Sequence, residues 1–438
     1  MSTVTDDDLA AIDITDVDRW VAGGYPWDDL ARLRETAPIY WYERPGVPPF
    51  WAVTRYDDVK TIHSHPEVFI NGGPILRIDS QEGLNALEAF RRRQADRHGW
   101  DPNEPLDLVY LDGDRHLDMR SITMRRFTPR AMRRFEEHLD ELAHRFVAEF
   151  VEKARDGGEL DLVNELSVPV PLATICELLD LPTDMWGQVH EWMDILFEPG
   201  AGVEYTRPGE TVPDLRRRLG REFHQFRRDL IEERRQRDPD QHDDLATNLI
   251  HATIDGQPLT DQQLHGYINL LIGAGNETTR NATTGGVIAL LEHPDQRARL
   301  AADPEGMVDT AVEEIMRYTS PVIQFARTAT TDFDLSGTRI AAGDTVVVWY
   351  PAANRDPRAF ENPDAFDVGR HPNFHLAFGH GHHFCLGANL ARWELRAVFR
   401  ELAPHLENLE IVGPPERVRH LHVGAIKHLP VRWKETTT

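Results

Sequence analysis

The most informative segment of the chain reads Phe378-Gly379-His380-Gly381-His382-His383-Phe384-Cys385-Leu386-Gly387. It places one cysteine in a glycine-rich loop directly before a helix-forming run, with a histidine two residues ahead. A thiolate in such a loop is stabilised by closely approaching backbone, by amide donors and by the positive end of a helix dipole. The segment therefore indicates a thiolate that binds a metal or reacts.

Other interpretations of this loop explain fewer of its features. A lone cysteine is most often a small buried hydrophobic residue, but that does not account for the three glycines around it. His380, His382 and His383 could form a metal cluster, yet no partner at zinc-finger spacing accompanies them. A dinucleotide-binding loop is a poor match, because Phe384 stands where the third glycine should be.

The spacing F-G-x-G-x-H-x-C-x-G resembles that of the cytochrome P450 family, whose cysteine thiolate is the proximal ligand of haem iron. The match is complete. The resemblance implies that Cys385 is the iron ligand and that haem b is the cofactor. It also implies that Phe378, Gly379, His383 and Gly387 belong to the loop that holds the cofactor.

Composition argues against several classes of function. The 438 residues include 73 acidic and 48 basic side chains, a formal net charge of -25, which disfavours nucleic-acid binding. The two cysteines, Cys176 and Cys385, lie far apart in sequence and are expected to be reduced, as in the cytoplasm. The first 20 residues lack the features of a signal peptide, and no apolar run approaches the roughly 20 residues that a bilayer requires. We therefore expect a cytoplasmic protein without a membrane anchor.

The order of elements predicts a mainly helical protein with a minor sheet. A capping box at Thr260 opens a helix that runs to Glu292 and is apolar nearly all round, so we expect it in the interior. Phe333–Ile340 and Thr345–Trp349 are predicted to pair as strands. The other predicted elements are a polar lead-in over residues 1–40, helices over Leu84–Arg93, Leu160–Leu179, Leu215–Arg237 and Met307–Tyr318, and a loop over Glu198–Pro213. The resemblance implies the cytochrome P450 fold as one domain over residues 1–438, with the long helix over the haem.

The middle of this long helix reads Ala274-Gly275-Asn276-Glu277-Thr278-Thr279. Glycine there costs about 1 kcal/mol relative to alanine, and an ordinary core helix rarely adds an acid and paired threonines. A kinked helix with a satisfied threonine is the alternative. The segment resembles the family's oxygen-binding groove. The resemblance implies that Ala274 and Gly275 contact the cofactor, and that Gly275 leaves room for dioxygen. It also implies that Thr278 bonds back to the Ala274 carbonyl, and that Glu277 and Thr278 deliver protons during oxygen reduction.

Two further sets of charged residues can be interpreted from their position in the sequence relative to the cysteine loop. Glu314 and Arg317 match the family's E-x-x-R, which implies a structural ion pair; alone they could be an ordinary surface salt bridge. In the family, the positions of His116, Arg120 and Arg327 hold the two haem propionates together with His383. Arginine suits a carboxylate because its guanidinium can bind both oxygens.

The chemistry that the resemblance implies is monooxygenation. The thiolate favours O–O cleavage, and one oxygen atom enters a C–H or double bond while the other leaves as water. No flavin or iron–sulfur motif is present, so electrons come from another protein. Seven arginines and one acid, Asp118, lie over Arg115–Arg134, and Arg392, Arg396 and Arg400 recur every four residues. We expect an acidic ferredoxin or flavodoxin, with its reductase, to dock there; alternatively these arginines only solvate two helices.

The substrate is expected to be hydrophobic. By family position, the candidate pocket residues are mostly apolar: Ile75, Leu76, Ile78, Leu271, Ile323, Phe325, His422 and Val423. The block AGNETTRN and Gly424-Ala425-Ile426-Lys427 resemble actinobacterial oxidases of sterol side chains and methyl-branched lipids. Terpenoids, macrolides and aromatic secondary metabolites remain open.

Two rival functions are a peroxygenase and a non-catalytic haem protein. A peroxygenase generally lacks the acid–threonine pair, and a sensor would not need one. Glu277 and Thr278 therefore favour a monooxygenase.

Overall fold

The structure is a computed structural model that describes residues 9–133, 135–197 and 205–434. The predicted loop over Glu198–Pro213 and the lead-in over residues 1–40 thus lie partly outside the described residues. In chain order, the α-helices of the described ranges are α1 (Val17–Gly23), α2 (Trp27–Thr36), α3 (Tyr56–Ser64), α4 (Gln81–His98), α5 (Gly113–Met124), α6 (Pro129–Met132), α7 (Glu136–Arg155), α8 (Pro169–Leu178), α9 (Trp186–Phe197), α10 (Val212–Arg235), α11 (Leu245–Ile250), α12 (Asp261–Glu292), α13 (Pro294–Ala302), α14 (Pro304–Thr319), α15 (Tyr350–Ala353) and α16 (Ala388–Leu402).

Short strands accompany these helices. In chain order they are β1 (Ile39–Arg44), β2 (Val47–Val53), β3 (Phe69–Ile70), β4 (Leu160–Asp161), β5 (Thr253–Ile254), β6 (Gln257–Pro258), β7 (Gln324–Ala329), β8 (Phe333–Leu335), β9 (Thr338–Ile340), β10 (Thr345–Trp349), β11 (Leu409–Ile411), β12 (Glu416–Arg417), β13 (Ile426–His428) and β14 (Pro430–Trp433). The protein is therefore mainly helical with small sheets, as predicted.

The chain divides into two compact units. Unit 1 comprises Met1–Leu117, Glu313–Cys385 and Leu421–Gly424. Its sheet has the strand order β1-β2-β10-β7-β3, in which β2 and β10 run parallel and the other neighbours antiparallel. A hydrophobic core on this sheet includes Trp349, which is fully buried, and Ile14 and Trp20 from the lead-in. The lead-in therefore contributes core residues as well as polar ones.

Unit 2 comprises Asp118–Val312, Leu386–His420 and Ala425–Thr438. The 32-residue helix α12 is its scaffold and packs against α8, α9, α10 and α16. The helix begins at the predicted capping box, where Thr260 accepts from the Gln263 amide and the Gln263 side chain accepts from the Thr260 amide. Most of its length is buried, as its apolar composition predicts. Among the described residues, no helix is both long enough and apolar enough to cross a membrane.

Two of the predicted elements were wrong in detail. Phe333–Ile340 is not one strand paired with Thr345–Trp349: β8 and β9 form their own hairpin, and β10 pairs with β7 and β2. Leu160–Leu179 is not one helix, because β4 and a π-helical turn over Val163–Ser167 precede α8. The helical patch predicted within residues 71–110 extends to the full 18 residues of α4.

Candidate functional site

The cysteine loop of unit 1 is shaped by two glycines in the left-handed region. Gly379 has φ 72° and Gly381 has φ 67°, values that favour glycine. A Cβ on Gly381 would also lie 2.3 Å from the carbonyl oxygen of His63. The loop therefore packs directly on backbone atoms and leaves no room for a side chain at this position. The Cys385 amide donates to the Phe378 carbonyl at 2.9 Å, which closes the loop. Cys385 is left exposed, three residues before α16 begins.

A buried arginine lies beneath this loop. Arg327 on β7 is 3% exposed, and its guanidinium donates to the Ala326 carbonyl at 2.8 Å and to His63 Nδ1 at 3.4 Å. On the other side of the ring, His63 Nε2 lies 3.0 Å from the Tyr350 hydroxyl. Burial, followed by the charge of Arg327, holds the pKa of His63 well below its usual value, so the ring is neutral and can accept from the guanidinium. Burial also lowers the pKa of Arg327 and raises that of Tyr350 to about 12.

A second polar cluster surrounds His383, and we call Asn71, Asp112, His116 and His383 the His383 cluster. The His383 ring lies 4.2 Å from the buried His116 ring between centroids, and its Nδ1 lies 3.2 Å from the Asn71 side-chain amide. Its Nε2 lies 3.5 Å from the Asp112 carboxylate. Burial alone would raise the pKa of Asp112, but hydrogen bonds from His383 and from the Asn71 and Gly72 amides outweigh it, and the net pKa is lowered. Asp112 is thus an ionised anchor for His383.

These features of unit 1 fit a haem. Cys385 is an exposed thiol on a tight glycine loop. Within the described residues, Arg327 has no carboxylate at salt-bridge distance, although its guanidinium is almost completely buried. A buried cation without an ion-pair partner is costly, and a propionate is the kind of anion that would compensate it.

The segment that leads into the cysteine loop is clamped by the predicted E-x-x-R pair. Glu314 and Arg317 are both fully buried and bond twice, Nε to Oε2 at 2.7 Å and Nη2 to Oε1 at 2.8 Å. Arg317 also donates to three backbone carbonyls in residues 354–365, and Glu314 accepts from Arg370 and from the amide of Asp367. The pair is therefore the hub of a buried network rather than a surface salt bridge.

In unit 2, the polar motif of α12 has the predicted threonine geometry. The Thr278 hydroxyl donates to the Ala274 carbonyl at 3.0 Å. A Cβ on Gly275 would meet only the Ile175 side chain, at 3.7 Å. One turn on, Asn281 Nδ2 donates to the Glu277 carbonyl at 2.8 Å while its Oδ1 accepts from the Ile426 amide at 3.0 Å. The hydrogen bond from the Ile426 amide therefore connects the helical turn that carries Glu277 to β13.

The predicted pocket residues of unit 1 gather at the start of β7. The Ala326 amide donates to the Leu76 carbonyl at 2.7 Å, and the Ile323 amide donates to the His422 carbonyl at 2.8 Å. The Phe325 ring lies 4.6 Å from that of His422. Of the predicted set, the structure buries Leu76, Ile78, Ile323 and Val423 and leaves Ile75, Phe325 and His422 half-buried. Leu271 is buried on α12 in unit 2.

Sequence reasoning missed several polar residues of these sites. His63, Tyr350, Asn71 and Asp112 carried no motif, since each acts through partners distant in sequence. Glu394 on α16, in unit 2, was also missed: it is 3% exposed, and burial raises its pKa to about 8 despite hydrogen bonding to Thr174 and Thr279.

A mainly helical fold with a cysteine presented on a glycine loop defines a haem-thiolate protein. A sequence profile described as cytochrome P450 matches residues 211–410. The chain is also 36% identical over 436 residues to the methyl-branched lipid omega-hydroxylase of Mycobacterium tuberculosis, covering 97% of this chain and 95% of that protein. It is 34% identical over 417 residues to the steroid C26-monooxygenase of the same species, covering 93% and 89%. The chain belongs to the cytochrome P450 family, and it is a haem-dependent monooxygenase.

Solved structures agree with this assignment. A cytochrome P450 of Novosphingobium aromaticivorans superposes with a TM-score of 0.83 at 30% identity, covering 99% of this chain and 100% of the other. A cytochrome P450 of Mycobacterium marinum in complex with pseudoionone gives 0.82 at 33% identity, covering 97% and 98%. The described residues therefore follow the cytochrome P450 fold.

Proposed function

We propose that this cytochrome P450 hydroxylates a hydrophobic lipid of the methyl-branched, sterol or terpenoid type. In the balanced reaction, RH, O2, two electrons and two protons give ROH and water. The observation that carries the substrate class is the similarity over nearly the full length to two relatives, one named for methyl-branched lipids and one for steroids. The apolar character of the residues gathered at β7 supports it.

The substrate class is tested by titrating the ferric protein with a methyl-branched fatty acid, a 3-oxo sterol, an acyclic terpenoid and a macrolide. We expect a spin-state shift in the Soret band with one of the three lipids and none with the macrolide. Product analysis with NADPH, a ferredoxin and its reductase then gives the position of hydroxylation. A shift with the macrolide alone would instead favour the runner-up function, the tailoring of secondary metabolites.

We propose that Cys385 binds the iron and that His116, Arg120, Arg327 and His383 hold the propionates. When bound, the haem supplies the oxygen-activating chemistry. Phe378, Gly379 and Gly387 belong to the loop that holds the cofactor; on α12, Ala274 contacts the cofactor and Gly275 leaves room for dioxygen. The carbon monoxide difference spectrum of the reduced protein tests the ligand: a strongly red-shifted Soret band is expected, and its loss in Cys385→Ser is required. A histidine-type band in the unaltered protein would contradict the assignment.

We propose that Glu277 and Thr278 supply the two protons. Thr278 supports this role because its hydroxyl is held at the Ala274 carbonyl, with its oxygen still able to accept a further hydrogen bond. In Thr278→Ala we expect NADPH oxidation to continue while product falls about tenfold, because O2, two electrons and two protons then leave as hydrogen peroxide. Thr283→Ala is the matched control, since Thr283 makes the same bond to the Thr279 carbonyl at 3.0 Å on the same helix. Full coupling in Thr278→Ala would reject the relay.

We propose that an acidic ferredoxin or flavodoxin, reduced by its own reductase, docks on a basic patch formed by Arg125, Arg130 and Arg133. The three side chains are exposed, and within the described residues none has an ion-pair partner. The α16 arginines are less suited to this role than their spacing predicts. Arg396 pairs with Asp309 at 2.6 Å, and Arg400 pairs with Asp140 and Glu305.

Charge reversal tests the docking patch. In Arg130→Glu/Arg133→Glu we expect the second-order rate of reduction to fall about tenfold or more at low salt and to approach that of the unaltered protein at high salt. Arg228→Glu on α10 is a matched exposed control. Arg134, also within the predicted basic run, lies outside the described residues. An unchanged rate at low salt would exclude this patch as the docking surface.

A further inference from the structure

A chain of three buried polar side chains lies beside the cysteine loop in unit 1. Arg327 donates through Nη2 to His63 Nδ1 at 3.4 Å, and His63 Nε2 lies 3.0 Å from the Tyr350 hydroxyl. The three residues come from β7, α3 and α15, and all of them are buried. The chain therefore connects three elements of unit 1 through hydrogen bonds that are shielded from bulk water.

The hydrogen positions along this chain follow from the chemistry of its members. A guanidinium has only donors, so His63 Nδ1 must accept from Arg327. Burial, followed by the charge of Arg327, holds the pKa of His63 well below its usual value, so the neutral ring carries its single proton on Nε2. Nε2 therefore donates to the oxygen of Tyr350. Tyr350 keeps its own hydroxyl proton, because burial raises its pKa to about 12.

The hydroxyl proton of Tyr350 is left to donate elsewhere. The Tyr350 oxygen accepts from His63 Nε2 and also from the Arg327 guanidinium. Within the described residues, nothing accepts the proton of this hydroxyl, although buried hydroxyl groups normally find an acceptor. A Cβ on Gly379 would lie 3.8 Å from the same oxygen. The buried hydroxyl therefore offers a donor directly beside the cysteine loop.

We propose that Tyr350 is a further haem-binding residue whose hydroxyl donates to the propionate that Arg327 binds, and that His63 is the positioning residue that aligns both donors. Within the described residues, Arg327 has no carboxylate at salt-bridge distance, so one propionate balances its charge. An un-ionised hydroxyl adds a hydrogen bond to that propionate without adding a second charge. This inference rests on the proposed propionate role of Arg327.

Haem release to excess apomyoglobin tests Tyr350→Phe against Tyr42→Phe. Tyr42 is the matched control, because its hydroxyl is also buried in unit 1 but donates to Asp13 at 2.5 Å. We expect Tyr350→Phe to release haem about tenfold faster than the unaltered protein, because a hydrogen bond to a charged group is lost. Tyr42→Phe should release haem at nearly the unaltered rate. Equal rates in the two variants would overturn the role of Tyr350.

The ferric–ferrous midpoint potential separates a lost propionate donor from a general loosening of the fold. Without the hydroxyl, the charge of the propionate is less well compensated, which favours the ferric state. We therefore expect a lower midpoint potential in Tyr350→Phe than in Tyr42→Phe, with the thiolate-type carbon monoxide band retained in both. Equal potentials would show that the Tyr350 hydroxyl does not contact the propionate.

Two substitutions of His63 test its positioning role. Glutamine can accept from Arg327 through its carbonyl oxygen and donate to Tyr350 through its amide, whereas leucine can do neither. We expect His63→Leu to release haem about fivefold faster than the unaltered protein and His63→Gln to restore most of the retention. If both variants released haem at the same rate, the positioning role of His63 would be rejected.

The release rates also distinguish this inference from its premise. If Arg327→Met releases haem faster while Tyr350→Phe behaves like Tyr42→Phe, Arg327 binds a propionate and Tyr350 does not. If Arg327→Met releases haem at the unaltered rate, the propionate role of Arg327 is rejected, and the role of Tyr350 and His63 with it.

Discussion

The buried Glu314–Arg317 pair gives a sharp prediction for the substitution Arg317→Met. Methionine keeps much of the side-chain length but removes the guanidinium, which makes two bonds to Glu314 and three to backbone carbonyls. Glu314 keeps a counter-charge, because Arg370 Nε lies 3.1 Å from its Oε2. The dominant loss is therefore that of donors to the carbonyls of Asn354, Pro363 and Ala365.

The expected magnitude follows from these contacts. A buried acceptor left without its donor costs about 1–3 kcal/mol, and breaking a buried ion pair costs about 3–5 kcal/mol when the remaining charge is uncompensated. Because Arg370 compensates the charge of Glu314, we expect the free energy of unfolding to fall by about 4–6 kcal/mol. The entropy of unfolding near 60 °C is about 2 cal/mol/K per residue, so for a chain of this length the midpoint should fall by about 1 °C per kcal/mol if unfolding is cooperative.

The assay combines the thermal midpoint at one fixed scan rate with the carbon monoxide difference spectrum. The segment that Arg317 clamps also positions the residues before the cysteine loop, since the Leu376 amide donates to Asn354 Oδ1 at 2.7 Å. We therefore expect a smaller thiolate-type band as well as a lower midpoint. Arg339→Met, which removes an exposed partner of Asp332, should cost less than about 1 kcal/mol. If Arg317→Met behaved like this control, the network would not stabilise the loop as described.

Three other substitutions are predicted from single contacts. In Gly381→Ala, a Cβ 2.3 Å from the His63 carbonyl and a φ of 67° should distort the loop, and the thiolate-type carbon monoxide band should largely disappear; a normal band would contradict the packing. Arg327→Met should release haem to apomyoglobin about tenfold faster, because a charged hydrogen bond is worth about 1.5–3 kcal/mol; unchanged release would argue against propionate binding. Glu394 keeps its proton up to about pH 8 in the folded state and loses it near pH 4.5 when unfolded, so stability should fall as pH rises between these values. Glu394→Gln should remove that slope in denaturation measured from pH 5 to pH 8, and an unchanged slope would show that another group causes it.

The sequence predicts best those features whose chemistry is local. The cysteine loop and the Thr278 bond each lie within one short segment, so residue types and spacing were sufficient. The same holds for α12, whose start is a capping box four residues long. The β8–β9 hairpin was predictable too. Ser336 and Gly337 both have positive φ, and the dipeptide Ser-Gly is a turn signal, so a single strand over Phe333–Ile340 should not have been predicted.

Features that depend on distant partners could not be predicted in this way. His63 supports Arg327 from 264 residues away, and Asn71 meets His383 from 312 residues away. Nothing in the spacing of these residues distinguishes them from other polar side chains. The α16 arginines show that a sequence repeat does not reveal such partners either. Their four-residue repeat predicted a docking face, but Arg396 and Arg400 are occupied by acids from other helices of unit 2.

Two acids of unit 2, Glu277 and Glu394, show how packing places the same chemical group in different surroundings. Glu277 shares a guanidinium with Asp194. Glu394 lies among α8, α12 and α16, and its proton is retained near neutral pH because burial raises its pKa to about 8. The Thr174 hydroxyl donates to the Val170 carbonyl at 2.9 Å, so its oxygen can accept a hydrogen bond from the protonated carboxyl group of Glu394. A neutral Glu394 requires no cation. Glu277, by contrast, forms an ion pair with Arg280, whose guanidinium also lies 3.3 Å from Asp194.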